Sequence, residues 1–172
     1  MKKYLILLFM AIFFVGCGTK EPLPPIANAF KFNVIDFTYS QSHYPKKFKY
    51  QSPQEVEKKY NEQMLEALKS NNLLDQNSSD ELKITIVHYK EFVGEATPVK
   101  SDRVGNIRFN YKVQIVRNNE ILRQYTGIRE RYDPGFFGNL KGIAMLNTDD
   151  TFENDAISAM VKNIIDIIKE KF

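Results

Sequence analysis

One thiol, two imidazoles and a series of basic side chains are the groups in this 172-residue chain that could do chemistry. The thiol is Cys17, so no internal disulfide can form and the fold must hold by packing alone. The imidazoles are His43, between Ser42 and Tyr44 in a polar stretch, and His88, on the apolar side of an alternating run. A metal centre wants several His, Cys or carboxylate ligands at set spacing, and two isolated histidines do not supply one. Gly135, Gly138 and Gly142 match neither a dinucleotide-binding nor a phosphate-binding glycine pattern. Asp149 and Asp150 read as a helix start rather than as paired catalytic carboxylates. With no nucleophile motif either, the expectation is a chain that is not an enzyme and uses no cofactor or metal.

The basic groups need a scaffold to bring them together, and residues 106–132 provide one. Ile107, Phe109, Tyr111, Val113 and Ile115 alternate with Arg108, Asn110, Lys112 and Gln114, the signature of a strand with one buried and one wet face. Asn118-Asn119 suits a two-residue type I′ turn, because Asn tolerates positive φ. A hairpin closing on Arg117 and Glu120 sets Ile115 opposite Leu122, Phe109 opposite Ile128, Gln114 opposite Arg123, Lys112 opposite Tyr125 and Arg108 opposite Arg129. Like charges directly opposite are destabilising. Such a row asks for anionic company, which acids of adjacent strands or an external anion could provide.

Around this hairpin the elements run β-α-β-β-β-α. Residues 30–39 read as a strand apolar on both sides, either central or changing face at a bulge, and an aromatic-studded polar loop fills 40–51. Ser52-Pro53-Gln54-Glu55 opens a helix with a capping box and proline in the first turn, Val56, Tyr60, Met64, Ala67 and Leu68 line its apolar stripe, and Asn71-Asn72 can stop it. A strand follows over 82–89. After the hairpin, Asp133-Pro134-Gly135 ends the fourth strand and a glycine-rich loop spans 136–147. Phe136 and Phe137 in that loop are expected to tuck under the last helix or, alternatively, to meet a partner. Asp150 and Glu153 resemble a second capping box before a helix carrying Ile157, Met160, Val161, Ile164, Ile165, Ile168 and Phe172. The expected fold is α+β, an antiparallel or mixed four-stranded sheet with two helices packed on one face.

The amino end has a different character. Lys2 and Lys3 precede an apolar run over 4–15, then small Gly16, Cys17 and polar residues. That is the layout of a secretory signal, too short to span a bilayer. Of the 24 Lys and Arg, Lys2 and Lys3 fall in this segment, against none of the 21 Asp and Glu. The remainder is near neutral and gives no argument for nucleic acid. Pro22, Pro24 and Pro25 favour an extended, semi-rigid tether. The expected organisation is a removed signal over 1–16, a tether over 17–29 and one domain over 30–172.

Phe14-Val15-Gly16-Cys17 resembles the lipobox of bacterial lipoproteins. The resemblance implies cleavage between Gly16 and Cys17, a diacylglyceryl thioether on Cys17 and acylation of its new amine, so that acyl chains hold the protein to a membrane. Gly18, where Asp would retain such a protein in the inner membrane, implies the periplasmic face of the outer membrane. Gly105-Asn106-Ile107-Arg108-Phe109-Asn110 resembles the stretch entering a strand in YajG-type lipoproteins. The strand 120–132, Tyr132-Asp133 and the acid-led final helix look like the LptE-type lipopolysaccharide-assembly lipoproteins. That second resemblance implies a non-enzymatic domain inside or beside a β-barrel partner, with Arg108, Lys112, Arg123 and Arg129 as possible lipopolysaccharide contacts. The function expected from all this is a non-enzymatic accessory lipoprotein that binds an envelope protein, with direct binding of lipopolysaccharide or anionic lipid as the alternative.

Overall fold

A computed structural model describes residues 22–172 apart from 96, 100 and 145. Gly16 and Cys17 lie outside the described residues. Strands β1 (Asp36–Gln41), β2 (Glu81–Phe92), β3 (Val104–Arg117) and β4 (Glu120–Arg131) form one sheet in the order β1-β2-β3-β4. β1 runs parallel to β2 and the other pairs are antiparallel, so the sheet is mixed. Helices α1 (Pro53–Ser70) and α3 (Thr151–Lys171) pack on each other and cover one face, while a short helix, α2 (Gly135–Ile143), follows β4. Among the described residues no helix is long and apolar enough to cross a membrane.

Alternation dictates the core. On β3, Ile107, Phe109, Tyr111, Val113 and Ile115 are all buried, and on β2 so are Leu82, Ile84 and Ile86. Val56, Tyr60, Met64 and Leu68 of α1 and the Ile157–Ile168 stripe of α3 close over them. The α1 capping box is formed, with Ser52 and Glu55 satisfying each other's backbone amides. Asn72 after that helix and Asn118 and Asn119 in the hairpin all take positive φ.

Four sequence expectations need correction. The first strand is regular only from Asp36: Phe32 and Ile35 are both buried three residues apart while Val34 is exposed, so alternation breaks before the strand begins. The chain changes face there and β1 lies at a sheet edge. In the hairpin, β3 pairs with β4 through two register shifts, at Ile115/Val116 and at Phe109/Tyr111. Arg117 does pair with Glu120, but Ile115 then faces Arg123, Gln114 faces Gln124, Lys112 faces Thr126 and Arg108 faces Arg131. The first shift brings Tyr125 to the helix side, where it stacks on Tyr111 at 6.1 Å. Gly127 sits opposite Tyr111, where any Cβ would collide with the phenol ring, and Arg129 takes up the second bulge at φ +54°. The expected glycine-rich loop contains α2, and its Phe136 and Phe137 are 73% and 78% exposed rather than tucked away. Finally, Glu153 does not cap α3: Asp149 Oδ1 accepts from the Thr151 amide, and Glu153 is buried.

Candidate functional site

The register scatters the expected basic row. Arg108 is paired with Glu91 at 3.2 Å, and Arg131 opposite it donates to Asn106. Arg129 rides on its bulge, its amide held by Asn110 Oδ1 at 2.7 Å. Lys112 lies between Thr85 and Thr126 on the open sheet face. Arg123 reaches the backbone, donating to Leu122 O and Pro24 O, both at 2.8 Å. Arg108 and Lys112 keep to the open face of β3, Arg131 rather than Arg129 stands opposite Arg108, and Arg123 is turned to the backbone of residue 24.

Arg123 belongs to a different arrangement. Asp80, 0% exposed, takes both Nε and Nη2 of Arg117, and Arg117 Nη2 also donates to Pro25 O at 3.1 Å. Asp80 Oδ2 further accepts the Ala27 amide at 2.7 Å, and Ile26 packs on the core. The guanidinium holds the Asp80 carboxyl below its ordinary pKa. Residues 24–27, expected as free tether, are thus clasped to the end of the sheet at which the β3–β4 hairpin turns.

Two hidden residues organise the opposite end. Alternation on β2 continues past Ile86 and carries His88 and Lys90 inward, both fully buried. The α3 stripe, traced back one turn from Ile157, lands on Glu153. Glu153 accepts from His88 Nε2 at 3.1 Å and Lys90 Nζ at 2.7 Å, with Tyr39 OH and Gln51 Nε2 further off. A carboxylate only accepts, so His88 Nε2 carries the proton and Nδ1 faces the Tyr60 hydroxyl at 3.1 Å. Burial pushes the His88 pKa down, so the ring is neutral. For Glu153 burial pulls upward, but His88 and Lys90 outweigh it and the carboxyl titrates below its ordinary range. By residue type this triad could move protons. At 0–1% side-chain exposure no substrate reaches it, and its work is to pin α3 to the sheet.

Above the triad lies a cleft of about 590 Å³, within the range that small ligands and peptide side chains occupy. Tyr39 and Gln41 of β1 form one wall and residues 44–53 the other, bringing Tyr44, Phe48 and Tyr50 together with Lys46, Lys47 and Lys49. The loop is anchored rather than merely draped. Asp102 Oδ2 accepts the Lys46 and Lys47 amides at 2.9 and 2.7 Å, and Oδ1 meets His43 Nε2 at 2.6 Å. Those contacts, the His43 bond first, lower the Asp102 pKa to about 2. The Tyr50 hydroxyl reaches Asp102 O at 2.8 Å, its ring meets Phe92 edge-on, and Lys90 Nζ lies 4.3 Å from its centroid. Burial raises the Tyr50 pKa to about 12. Sequence reading saw an aromatic-studded loop but missed this site, because its shape depends on Asp102, more than fifty residues away.

No family model matches the chain, and no curated protein matches it in sequence. Solved structures that align with it include a minor lipoprotein from Acinetobacter baumannii, at 13% identity and a TM-score of 0.38, covering 76% of this chain and 91% of that one. Another is a Xanthomonas campestris protein of family DUF330, at 6% identity and a TM-score of 0.40, covering 86% of this chain and 87% of that one. Both superpositions are too loose to assign a family, the YajG and LptE types included.

Proposed function

We propose that this chain is a lipid-anchored, non-catalytic lipoprotein of the bacterial envelope that engages an envelope protein with the end of its domain remote from the anchor. The lipobox-like segment ending at Cys17 supports the anchor, and Gly18 supports the periplasmic face of the outer membrane. The observation that carries the rest is geometric. The clasp on Pro24, Pro25 and Ala27 sits beside Glu81 and Val116, while the cleft sits beside Lys90. Nine residues of β2 separate these ends, about 30 Å at strand rise. Only seven residues join Cys17 to the first clasped carbonyl, a reach of no more than about 25 Å. Acyl chains on Cys17 therefore keep the hairpin end near the bilayer and hold the cleft away from it. Phe136 and Phe137, exposed and following β4 at the same remote end, add apolar surface that a protein partner would cover.

A photo-activated cross-linker placed at Tyr44, Phe137 or Asn119 in growing cells tests this reading. One dominant protein adduct from Tyr44 or Phe137, and none from Asn119, is the expected pattern. Protein adducts from Asn119 alone, or from none of the three, would refute it. Fractionation of a Cys17→Ser variant tests the anchor separately: the protein should leave the membrane fraction.

A further inference from the structure

We infer that the cleft between β1 and residues 44–53 is a receptor for an extended, acidic peptide segment of the partner, an inference that rests on the remote end being the partner-facing one. Charge is the first argument. Lys46, Lys47 and Lys49 line the cleft and no Asp or Glu does. Of the nearby acids, Asp102 is held by His43 and two backbone amides, Glu153 by His88 and Lys90, Asp150 by the Gln51 amide and Glu55 by Ser52, with Lys49 the one cleft lysine whose charge Glu55 feels. Among the described residues none of the three lysines has a carboxylate within ion-pair distance. Three like charges on one short loop repel one another, and a ligand carrying carboxylates would relieve that.

Shape and polarity narrow the class. Tyr44 is 79% exposed, and Tyr39, Phe48 and Tyr50 contribute aromatic surface beside it. These rings offer apolar side chains a place to pack. Gln51, 8% exposed, lines the same cleft. Its Nε2 is directed to Asn154 and Glu153, which leaves the amide oxygen as the acceptor, and that oxygen has no partner. An unmet buried acceptor is costly, and this one stands beside the cleft. β1 is a sheet edge running along the cleft wall, which suits a chain in extended conformation. An acidic residue on either side of an apolar one, in an extended segment, satisfies the lysines and the rings together.

The test uses the acylated chain reconstituted in phosphatidylcholine nanodiscs. The probe is a labelled pool of ten-residue peptides with Glu or Asp fixed at four positions. The same pool with Gln and Asn at those positions, and an oligogalacturonate of similar charge, serve as comparisons. The acidic pool should bind at least tenfold more tightly than the amide pool and weaken as salt rises. Lys46→Gln, Lys47→Gln and Lys49→Gln combined should lower its affinity about tenfold, three exposed ion pairs at their usual strength. Equal binding of both pools, undiminished binding by the triple variant, or tighter binding of the oligogalacturonate would overturn the inference. A protein adduct at Tyr44 with no acidic-peptide preference would leave the partner-facing end standing and sink only the peptide chemistry.

Discussion

Lys90 Nζ donates to Glu153 Oε2 at 2.7 Å with neither side chain touching water. A strand residue and the third residue of a helix, 63 positions apart, are thus joined where a sheet face would ordinarily carry two aliphatic side chains. Desolvating two ions costs several kcal/mol each, and the mutual attraction repays it only when further hydrogen bonds complete the pair. His88 and Gln51 supply them on the Glu153 side.

Breaking the pair from one side should therefore cost more than removing it. Glu153→Leu leaves Lys90 buried and uncompensated, and a loss of about 3–5 kcal/mol is expected from urea denaturation. Glu153→Leu with Lys90→Met should recover most of that loss. If the double variant is no more stable than the single one, the pair is not the unit that matters.

Acid should act on the same cluster in two stages. His88 has a lowered pKa in the fold, so the unfolded chain binds a proton first as pH drops below the ordinary histidine value of 6.5. Stability declines from there by at most about 1.4 kcal/mol per pH unit. Glu153 is also lowered, so its contribution is present above the ordinary value of 4.5 and is lost as pH falls through the lower folded value. Chemical denaturation at pH 7.5, 5.5 and 4.0 should show the first decline already at 5.5. A His88→Gln variant should remove the decline between 7.5 and 5.5 and keep the one below 4.5.

The clasp allows a sharper dissection, because its two arginines differ in what they leave behind. Arg117→Ala leaves the solvent-shielded Asp80 carboxylate without its cation and should destabilise the domain clearly more than Arg123→Ala does. Arg123→Ala removes two contacts to backbone carbonyls, Leu122 O and Pro24 O, strands no buried charge and should cost about 1 kcal/mol or less. Yet Arg123→Ala should free the start of the domain, and proteolysis between residues 22 and 27 should quicken while the melting midpoint falls by no more than about 4 °C. Equal cleavage of wild type and variant would show that Arg123 does not hold this segment.

Much of this architecture was legible in the residue pattern, and the failures share a physical origin. The α1 capping box, the Asn118-Asn119 turn and the β3 alternation are local signals, and the fold keeps all three. The β4 register was lost because Gly127 reads locally as a weak strand residue, whereas its small size answers the Tyr111 ring across the sheet. Glu153 reads as a helix cap because Asp150 stands three residues before it. Its burial follows only once His88 and Lys90 are known to point inward from another element. The lysine cleft was invisible for a similar reason, since Asp102 folds the loop from a distance. Short-range chemistry was readable, and sites assembled from two distant segments were not.

That dependence on Asp102 gives a prediction about the cleft itself. Asp102 ties His43 and the amides of Lys46 and Lys47 into one knot. Asp102→Ala removes three acceptor contacts from a surface loop and none from the core, so the global unfolding midpoint should barely move. The two lysine amides should instead exchange with solvent deuterons at least tenfold faster, because each loses the acceptor it has among the described residues. In the unaltered protein the folded Asp102 titrates near 2, below the ordinary 3.8. The knot is therefore complete above pH 4 and loosens as pH falls toward 2. Backbone amide exchange followed by NMR at pH 6 and pH 4 should find Lys46 and Lys47 protected at both. Protection surviving in Asp102→Ala would mean that the loop is shaped by its own sequence, and that the 590 Å³ cleft does not need this carboxylate.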